Sequence, residues 1–277
     1  MNTILLLGST GLLGNDLRKK AEGRFNIIAP SSSECDLLKP GSVAEFIERI
    51  SPDIIINSAA MTNVDDAELY KEKAMQINAY AVREIAKAAK EKNILFVHIS
   101  TDYVFNGTSE EPYSEEDPRN AANFYGYTKV IAEEFIQETA EDMLIFRVAW
   151  LIGKRRKTLF DMIREFDGKH LKIIDDQWGD PTFSFWAAEI ILESIEKRIP
   201  RGIYNLTSSA NITRFEFAKK LKEKLGLKFE LSAIGSTALK RPALRPRATS
   251  LINQKLSNAL KRKLPSWEEQ LDLFLQG

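Results

Sequence analysis

Residues 4–14 constrain this chain more than any other stretch. Ile4-Leu5-Leu6-Leu7 is a short, uninterrupted apolar run that passes directly into Gly8-Ser9-Thr10-Gly11-Leu12-Leu13-Gly14. A strand covered on both faces, as in a parallel sheet, reads as continuous apolar residues rather than as an alternation. The apolar spacing that follows, Leu12, Leu13 and Leu17, is helical. Strand, glycine-rich turn and helix in that order open a βαβ unit. Glycines there leave the backbone bare, so an anionic pyrophosphate can rest against the amides of the helix N-terminus. The Gly-x-x-Gly-x-x-Gly spacing differs by one residue from the Gly-x-Gly-x-x-Gly dinucleotide fingerprint. An ordinary tight strand-to-helix turn would use the same glycines, so the rest of the chain has to decide.

The unit repeats. Residues 25–29, 53–57, 94–99 and 144–148 read as further buried strands, with helical patterns over 43–50, 74–92 and 125–139. Five strands alternating with helices predict an α/β fold, a doubly wound parallel sheet. Residues 1–152 are expected to form a dinucleotide-binding Rossmann domain. Residues 153–277 are expected to form mainly a smaller C-terminal α/β substrate lobe, with a segment around 183–206 packing back on the Rossmann sheet. In that later half, Thr213-x-x-Glu216 and Ser266-x-x-Glu269 have the spacing of capping boxes for helices through Leu225 and Leu275. The 277 residues suffice for one large core or two joined ones. Lys+Arg and Asp+Glu both number 39, so no charge excess points to nucleic acid. A lone cysteine, Cys35, excludes an intramolecular disulfide and fits a reducing compartment. The apolar start is too short for a signal peptide, and no stretch approaches the ~18 apolar residues of a membrane span. The expectation is a soluble, cytoplasmic protein with no nucleic-acid or membrane partner.

Chemistry concentrates in Tyr125-Gly126-Tyr127-Thr128-Lys129. A tyrosine and a lysine four apart share one helical face, where an ammonium lying near a phenol favours its ionised form. A phenol so tuned passes protons near neutral pH. Alone the spacing is weak, but Ser100-Thr101 ends the fourth strand at the same sheet edge as the glycine turn. Reduction of a ketone by a nicotinamide leaves an alkoxide that needs a proton. Tyr125 would supply it, Lys129 would lower the tyrosine pKa and hold the cofactor ribose, and Thr101 would hydrogen-bond the carbonyl oxygen. Small residues after the third strand, Ser58-Ala59-Ala60, leave room for a ligand in the crevice. Pro30-Ser31-Ser32-Ser33 carries neither an acid for a ribose 2′-hydroxyl nor an arginine for a 2′-phosphate, so the choice between NADPH and NADH stays open. His98, alternating within an apolar strand, is expected as a packed core histidine. His170 and the basic run Lys154 to Lys157 are expected to be solvated.

Taken together, several stretches resemble a known family. Gly8-x-x-Gly11-x-x-Gly14, Asn57 to Asp65, Ser100 to Gly107, Tyr125-x-x-x-Lys129, Arg147 to Trp150, Asp176 to Thr182 and Arg245-Pro246 resemble the extended short-chain dehydrogenase/reductases that act on nucleotide sugars. Within them the similarity points to the dTDP-4-dehydrorhamnose reductases and spans nearly the whole chain. The resemblance implies NADPH- or NADH-dependent reduction of the 4-keto group of a nucleotide-linked 6-deoxy-4-ketohexose. It implies Thr101, Tyr125 and Lys129 as the catalytic trio. It implies cofactor contacts from Gly11, Leu12, Leu13, Asp36, Leu37, Ala60, Met61 and Thr62, and nucleotide-sugar contacts from Asp102 and Trp150. Arg245 would neutralise the substrate diphosphate, and a homodimer follows by analogy.

The expected cofactor surface also includes Gly8, Thr10, Gly14, Ser31, Ala59 and Asn78 beside Tyr125 and Lys129. Sister 4,6-dehydratases place Asp-Glu after the threonine. Here Asp102 is followed by Tyr103, which argues against dehydration. Met61 and Arg245-Pro246-Arg247-Ala248-Thr249 depart from the family pattern, which leaves the exact sugar and nucleotide open. Asp16 alone matches a metal ligand seen in some members, so no metal is expected. The alternatives are a nucleotide-sugar 4-epimerase and a non-catalytic regulatory subunit. The presence of both Tyr125 and Lys129 weighs against the second.

Overall fold

The computed structural model describes residues 1–276. The first half supplies strands β1 (Thr3–Leu7), β2 (Asn26–Ile28), β3 (Ile54–Asn57), β4 (Leu95–Thr101) and β5 (Met143–Val148). Its helices are α1 (Leu12–Ala21), α2 (Ser42–Ile50), α3 (Val64–Leu69), α4 (Lys71–Met75), α5 (Ala81–Glu91) and α6 (Phe124–Thr139). The second half supplies β6 (Leu151–Ile152), β7 (His170–Ile174), β8 (Trp178–Gly179), β9 (Thr182–Phe183), β10 (Gly202–Asn205), β11 (Ile212–Thr213) and β12 (Glu230–Ile234). Its helices are α7 (Leu159–Arg164), α8 (Ser184–Glu196), α9 (Arg214–Leu225), α10 (Gln254–Leu260) and α11 (Trp267–Gln276).

β1 to β5 and β10 form one all-parallel sheet in the spatial order 2-1-3-4-5-10, a doubly wound Rossmann sheet. The order reverses at β1. Crossovers therefore leave β1 and β3 toward opposite edges, and a crevice opens at their carboxyl ends. The apolar run of β1 has its reason here. Ile4 and Leu6 enter one core with Leu13 and Leu17 of α1 and Ile190 and Ile191 of α8. Leu5 and Leu7 enter the other with Phe46 of α2 and Ile85 of α5. α10 adds Leu256 and Leu260 to the first of these cores.

A third core lies under the second half, where α7, α9 and α11 pack with the parallel pair β7–β12 around Phe160, Phe183, Phe217, Phe229 and Phe274. Two ladders of two residues each, β6–β9 and β8–β11, sit above the sheet's carboxyl edge. Both expected capping boxes are present, at Thr213–Glu216 and Ser266–Glu269. One expected element differs. The helix read over 74–92 is α4 and α5 joined by a π-helical turn, Gln76–Tyr80. No helix among the described residues is long and apolar enough to cross a membrane.

Candidate active site

A cavity of about 620 Å³ opens at the carboxyl edge of β1, β3, β4 and β5 and runs beneath β6, α7 and α9. At one end stands the glycine turn. A Cβ at Gly8, whose φ is +81°, would lie 2.5 Å from the Ala59 amide nitrogen, and one at Gly14 would lie 2.1 Å from the Gly8 oxygen. These two glycines let the turn close against the end of β3. At Gly11 a Cβ would meet only the Gly8 oxygen, at 3.3 Å.

Gly11 is the N-cap of α1, with no side-chain cap and no acidic residue in the first turn. By contrast α3, α6 and α9 are capped by Asn63, Asn123 and Thr213. The first-turn amides of a helix lack intrahelical acceptors, and here they face a cavity at the positive end of the helix dipole. That arrangement fits a dinucleotide diphosphate.

Beyond the turn lie Thr101, Asp102 and Tyr103 from the end of β4, with Tyr125 and Lys129 from α6. Gly126 explains how α6 reaches them, because its missing Cβ would lie 2.1 Å from the Tyr103 oxygen. Asn123 fixes the entry of α6 by accepting from the Gly126 amide at 2.9 Å. The rings of Tyr103 and Tyr125 meet edge to face at 6.2 Å. Thr101 Oγ1 donates to Asp102 Oδ1 at 2.9 Å, and Thr249 Oγ1 donates to Asp102 Oδ2 at 2.5 Å. Burial of the Asp102 carboxyl pushes its pKa up to about 7 against the pull of these two hydrogen bonds.

Lys129 departs from the picture drawn from spacing. Its Nζ donates to the Ile99 oxygen at 2.7 Å and stands 2.8 Å from Nε2 of His98. Among the described residues it makes no hydrogen bond to Tyr125. Burial drives the lysine pKa down to about 7, and Glu133 only partly opposes this. The Tyr125 phenol is pushed above its ordinary value by burial, with the Thr101 hydroxyl working the other way. In this state the lysine does not acidify the phenol. Lys129 is 1% exposed, and a buried amino group is held by the polar partners it finds, here on β4.

The far wall carries Trp150 in a left-handed conformation, φ +35°. A bulky residue there is strained, and such strain persists only where the surroundings enforce it. Gly179 lies so close that a Cβ would stand 2.6 Å from the indole. On the ring sits the Arg214 guanidinium, 4.4 Å from its centroid. No described carboxylate forms an ion pair with Arg214, whose pKa burial lowers while Tyr103 and Asp102 raise it. Arg156 and Lys157, expected as solvated, reach the rim of the same cavity.

The family model described as RmlD substrate binding domain matches residues 1–277. The chain belongs to the RmlD family. A dTDP-4-dehydrorhamnose reductase of Escherichia coli strain K12 is 36% identical over 283 residues, covering 96% of this chain and 94% of its own. A dTDP-4-dehydrorhamnose reductase of Bacillus anthracis, solved in complex with NADP, superposes with a TM-score of 0.94 at 28% identity, covering 99% of this chain and 98% of its own. The Clostridium acetobutylicum reductase gives the same TM-score, identity and coverage.

Within this RmlD-family site the expected residues divide. Gly8, Thr10, Gly11, Leu12, Leu13, Gly14, Ala59, Ala60, Thr62, Thr101, Asp102, Tyr125, Lys129 and Trp150 line one cavity. Ser31, Asp36, Leu37, Met61, Asn78 and Arg245 are not part of its lining. The Ser31 amide and hydroxyl both donate to Glu34, at 2.8 Å. Asp36 caps its own turn through the Leu38 amide. Asn78 lies behind the wall. Its Oδ1 accepts from the Met61 amide at 2.8 Å, and its Nδ2 donates to the Met61 oxygen at 3.1 Å and to Thr128 Oγ1 at 3.0 Å.

Arg245 stands outside the lining of this cavity. One edge of its guanidinium closes on Asp65 with two contacts of 2.9 Å. Two guanidinium groups line the cavity, Arg214 on the wall and Arg156 at the rim. Sequence spacing could place Arg214 at the first position of α9, just after the Thr213 cap, but not above Trp150.

Proposed function

We propose that this chain reduces the 4-keto group of a nucleotide-linked 6-deoxy-4-ketohexose with NADPH or NADH, taking dTDP-4-dehydrorhamnose to dTDP-L-rhamnose. The observation that carries the reading is the junction within one cavity of an uncapped helix N-terminus with the Thr101–Tyr125 pair. The reduced nicotinamide supplies hydride to the carbonyl carbon. Thr101 Oγ1 hydrogen-bonds the carbonyl oxygen as charge grows on it, and Tyr125 Oη delivers the proton. Trp150 and Arg214 form the wall for the sugar nucleotide, and Arg214 supplies the cation facing its diphosphate. Tyr103, where a dehydratase would carry a carboxylate, leaves no base for eliminating water. The relatives described above are dTDP-4-dehydrorhamnose reductases, which supports the same reading.

Incubation with dTDP-4-dehydrorhamnose should consume NADPH or NADH stoichiometrically. No turnover with either cofactor would overturn the proposal. Tyr125→Phe should lower kcat by about 10²–10⁴-fold and leave cofactor affinity unchanged. The same reading takes the protein as a cytoplasmic homodimer. A monomer mass by light scattering would remove that part and leave the chemistry standing.

A further inference from the structure

His98 is fully buried, and its ring lies between two polar side chains. Nδ1 is 3.4 Å from the amide nitrogen of Asn57, and Nε2 is 2.8 Å from Lys129 Nζ. The Asn57 amide has its orientation set from outside, because Oδ1 accepts from the Ala59 amide at 3.1 Å. Its nitrogen therefore faces the imidazole, and an amide nitrogen only donates. Nδ1 must accept and carries no proton. A neutral imidazole with a bare Nδ1 bears its proton on Nε2, which points at Lys129. An ammonium has three donors and no acceptor, so it would oppose that proton. A neutral amine has a lone pair for Nε2–H and an N–H for the Ile99 oxygen, 2.7 Å away. An imidazolium fails as well, because Nδ1–H would oppose the Asn57 amide. In only one assignment does no donor in the chain Ala59, Asn57, His98, Lys129 and Ile99 face another donor.

We propose that His98 is a positioning residue that holds the resting Lys129 as a neutral amine against β4, and that Lys129 takes up a proton when cofactor binds. This rests on the cofactor part of the proposed function and not on the identity of the sugar. The surroundings agree. Glu133, one turn along α6, is paired with Arg147 of β5 at 2.7 Å and with Arg119 at 3.1 Å, so its charge is largely neutralised. Tyr125, one turn back on α6, and Tyr103, after β4, have pKa values raised by burial and present neutral phenols to the cavity, and both Asp102 oxygens are engaged by Thr101 and Thr249. Burial lowers the pKa values of both His98 and Lys129. The carboxylates near this spot, Glu133 and Asp102, are already engaged by other donors, so neither pairs with an ammonium here.

Two measurements test the proposal. The chain has two histidines, and His170 is exposed, so His98 is assignable in a nitrogen-15 spectrum. The cofactor-free protein should show a neutral His98 with its proton on Nε2, and a proton on Nδ1 would overturn the proposal. The second measurement is calorimetric titration of NADPH and NADH at about pH 8.5, in buffers of differing ionisation enthalpy. It should show uptake of about one proton per site. His98→Gln, whose carbonyl can accept from an ammonium, should bring the uptake toward zero. Lys129→Met should abolish it and controls for a His98 variant that fails to fold. Binding without uptake in the unmodified protein, or undiminished uptake in Lys129→Met, would overturn this proposal alone. No binding of either cofactor would overturn the proposed function together with it.

Discussion

Arg214 is the residue that sequence reading had least means to find. A guanidinium acquires its role from what surrounds it, and Trp150, Tyr103 and Asp102 come from other elements. Arg214→Gln should raise KM for the nucleotide sugar about 10- to 100-fold, the worth of a charge-assisted hydrogen bond, with cofactor affinity unmoved. An unchanged KM would return the diphosphate role to another group. Tyr125 and Lys129 were legible because a four-residue spacing survives in any helix. The imidazole partner of Lys129 was not, since an apolar strand pattern reports only that His98 is buried.

Asp102 carries a pH signature. Its folded pKa of about 7 exceeds the ordinary 3.8. The stability it contributes is therefore fully present below about 3.8 and is lost as pH rises through about 7. The melting temperature of the unmodified protein relative to Asp102→Asn should fall across that window and level off above it. A constant difference would contradict the buried, neutral carboxyl.

Among the elements, the π-helical turn at Gln76–Tyr80 departs most from its sequence pattern. Ala74, Val82, Ile85, Ala86 and Ala89 are all buried, so apolar spacing alone suggests one continuous helix. A π turn admits an extra residue without breaking that stripe, and such turns concentrate at functional positions. Here it sets Asn78 against both backbone groups of Met61 and against Thr128 on α6. The wall segment after β3 is thereby tied to the helix that bears Tyr125 and Lys129. Asn78→Ala should destabilise the protein by about 1–3 kcal/mol in urea unfolding, because the Met61 amide and carbonyl lose their partner. It should weaken cofactor binding as well, although Asn78 does not line the cavity. A stability loss with unchanged cofactor affinity would separate the clamp from the site. The two-residue strands β6, β8, β9 and β11 escaped detection for a plainer reason. Two residues carry no period, and their pairing is decided by tertiary packing.

At the scale of the whole molecule, the parallel sheet was legible because each buried strand announces itself as an apolar run between turn residues. Its sixth member lies in the segment around 183–206 expected to pack back on the sheet. β10 enters beside β5 about fifty residues later in the chain, and α8 covers α1 on the same face. Trp186, Ile190, Leu192, Leu256 and Leu260 of the second half share a core with Ile4, Leu6, Leu144 and Phe146 of the first. A core shared in this way predicts one cooperative unfolding transition by calorimetry, with equal calorimetric and van't Hoff enthalpies. Two resolved transitions would show that the halves melt apart.

The shared core also bears on how such enzymes diversify. A chimaera joined at residue 152 would not exchange a substrate module for another. It would bring together two faces of a hydrophobic interior selected in different backgrounds. A change of specificity that leaves this interior intact would fall on residues lining the cavity, such as Arg214 and Arg156.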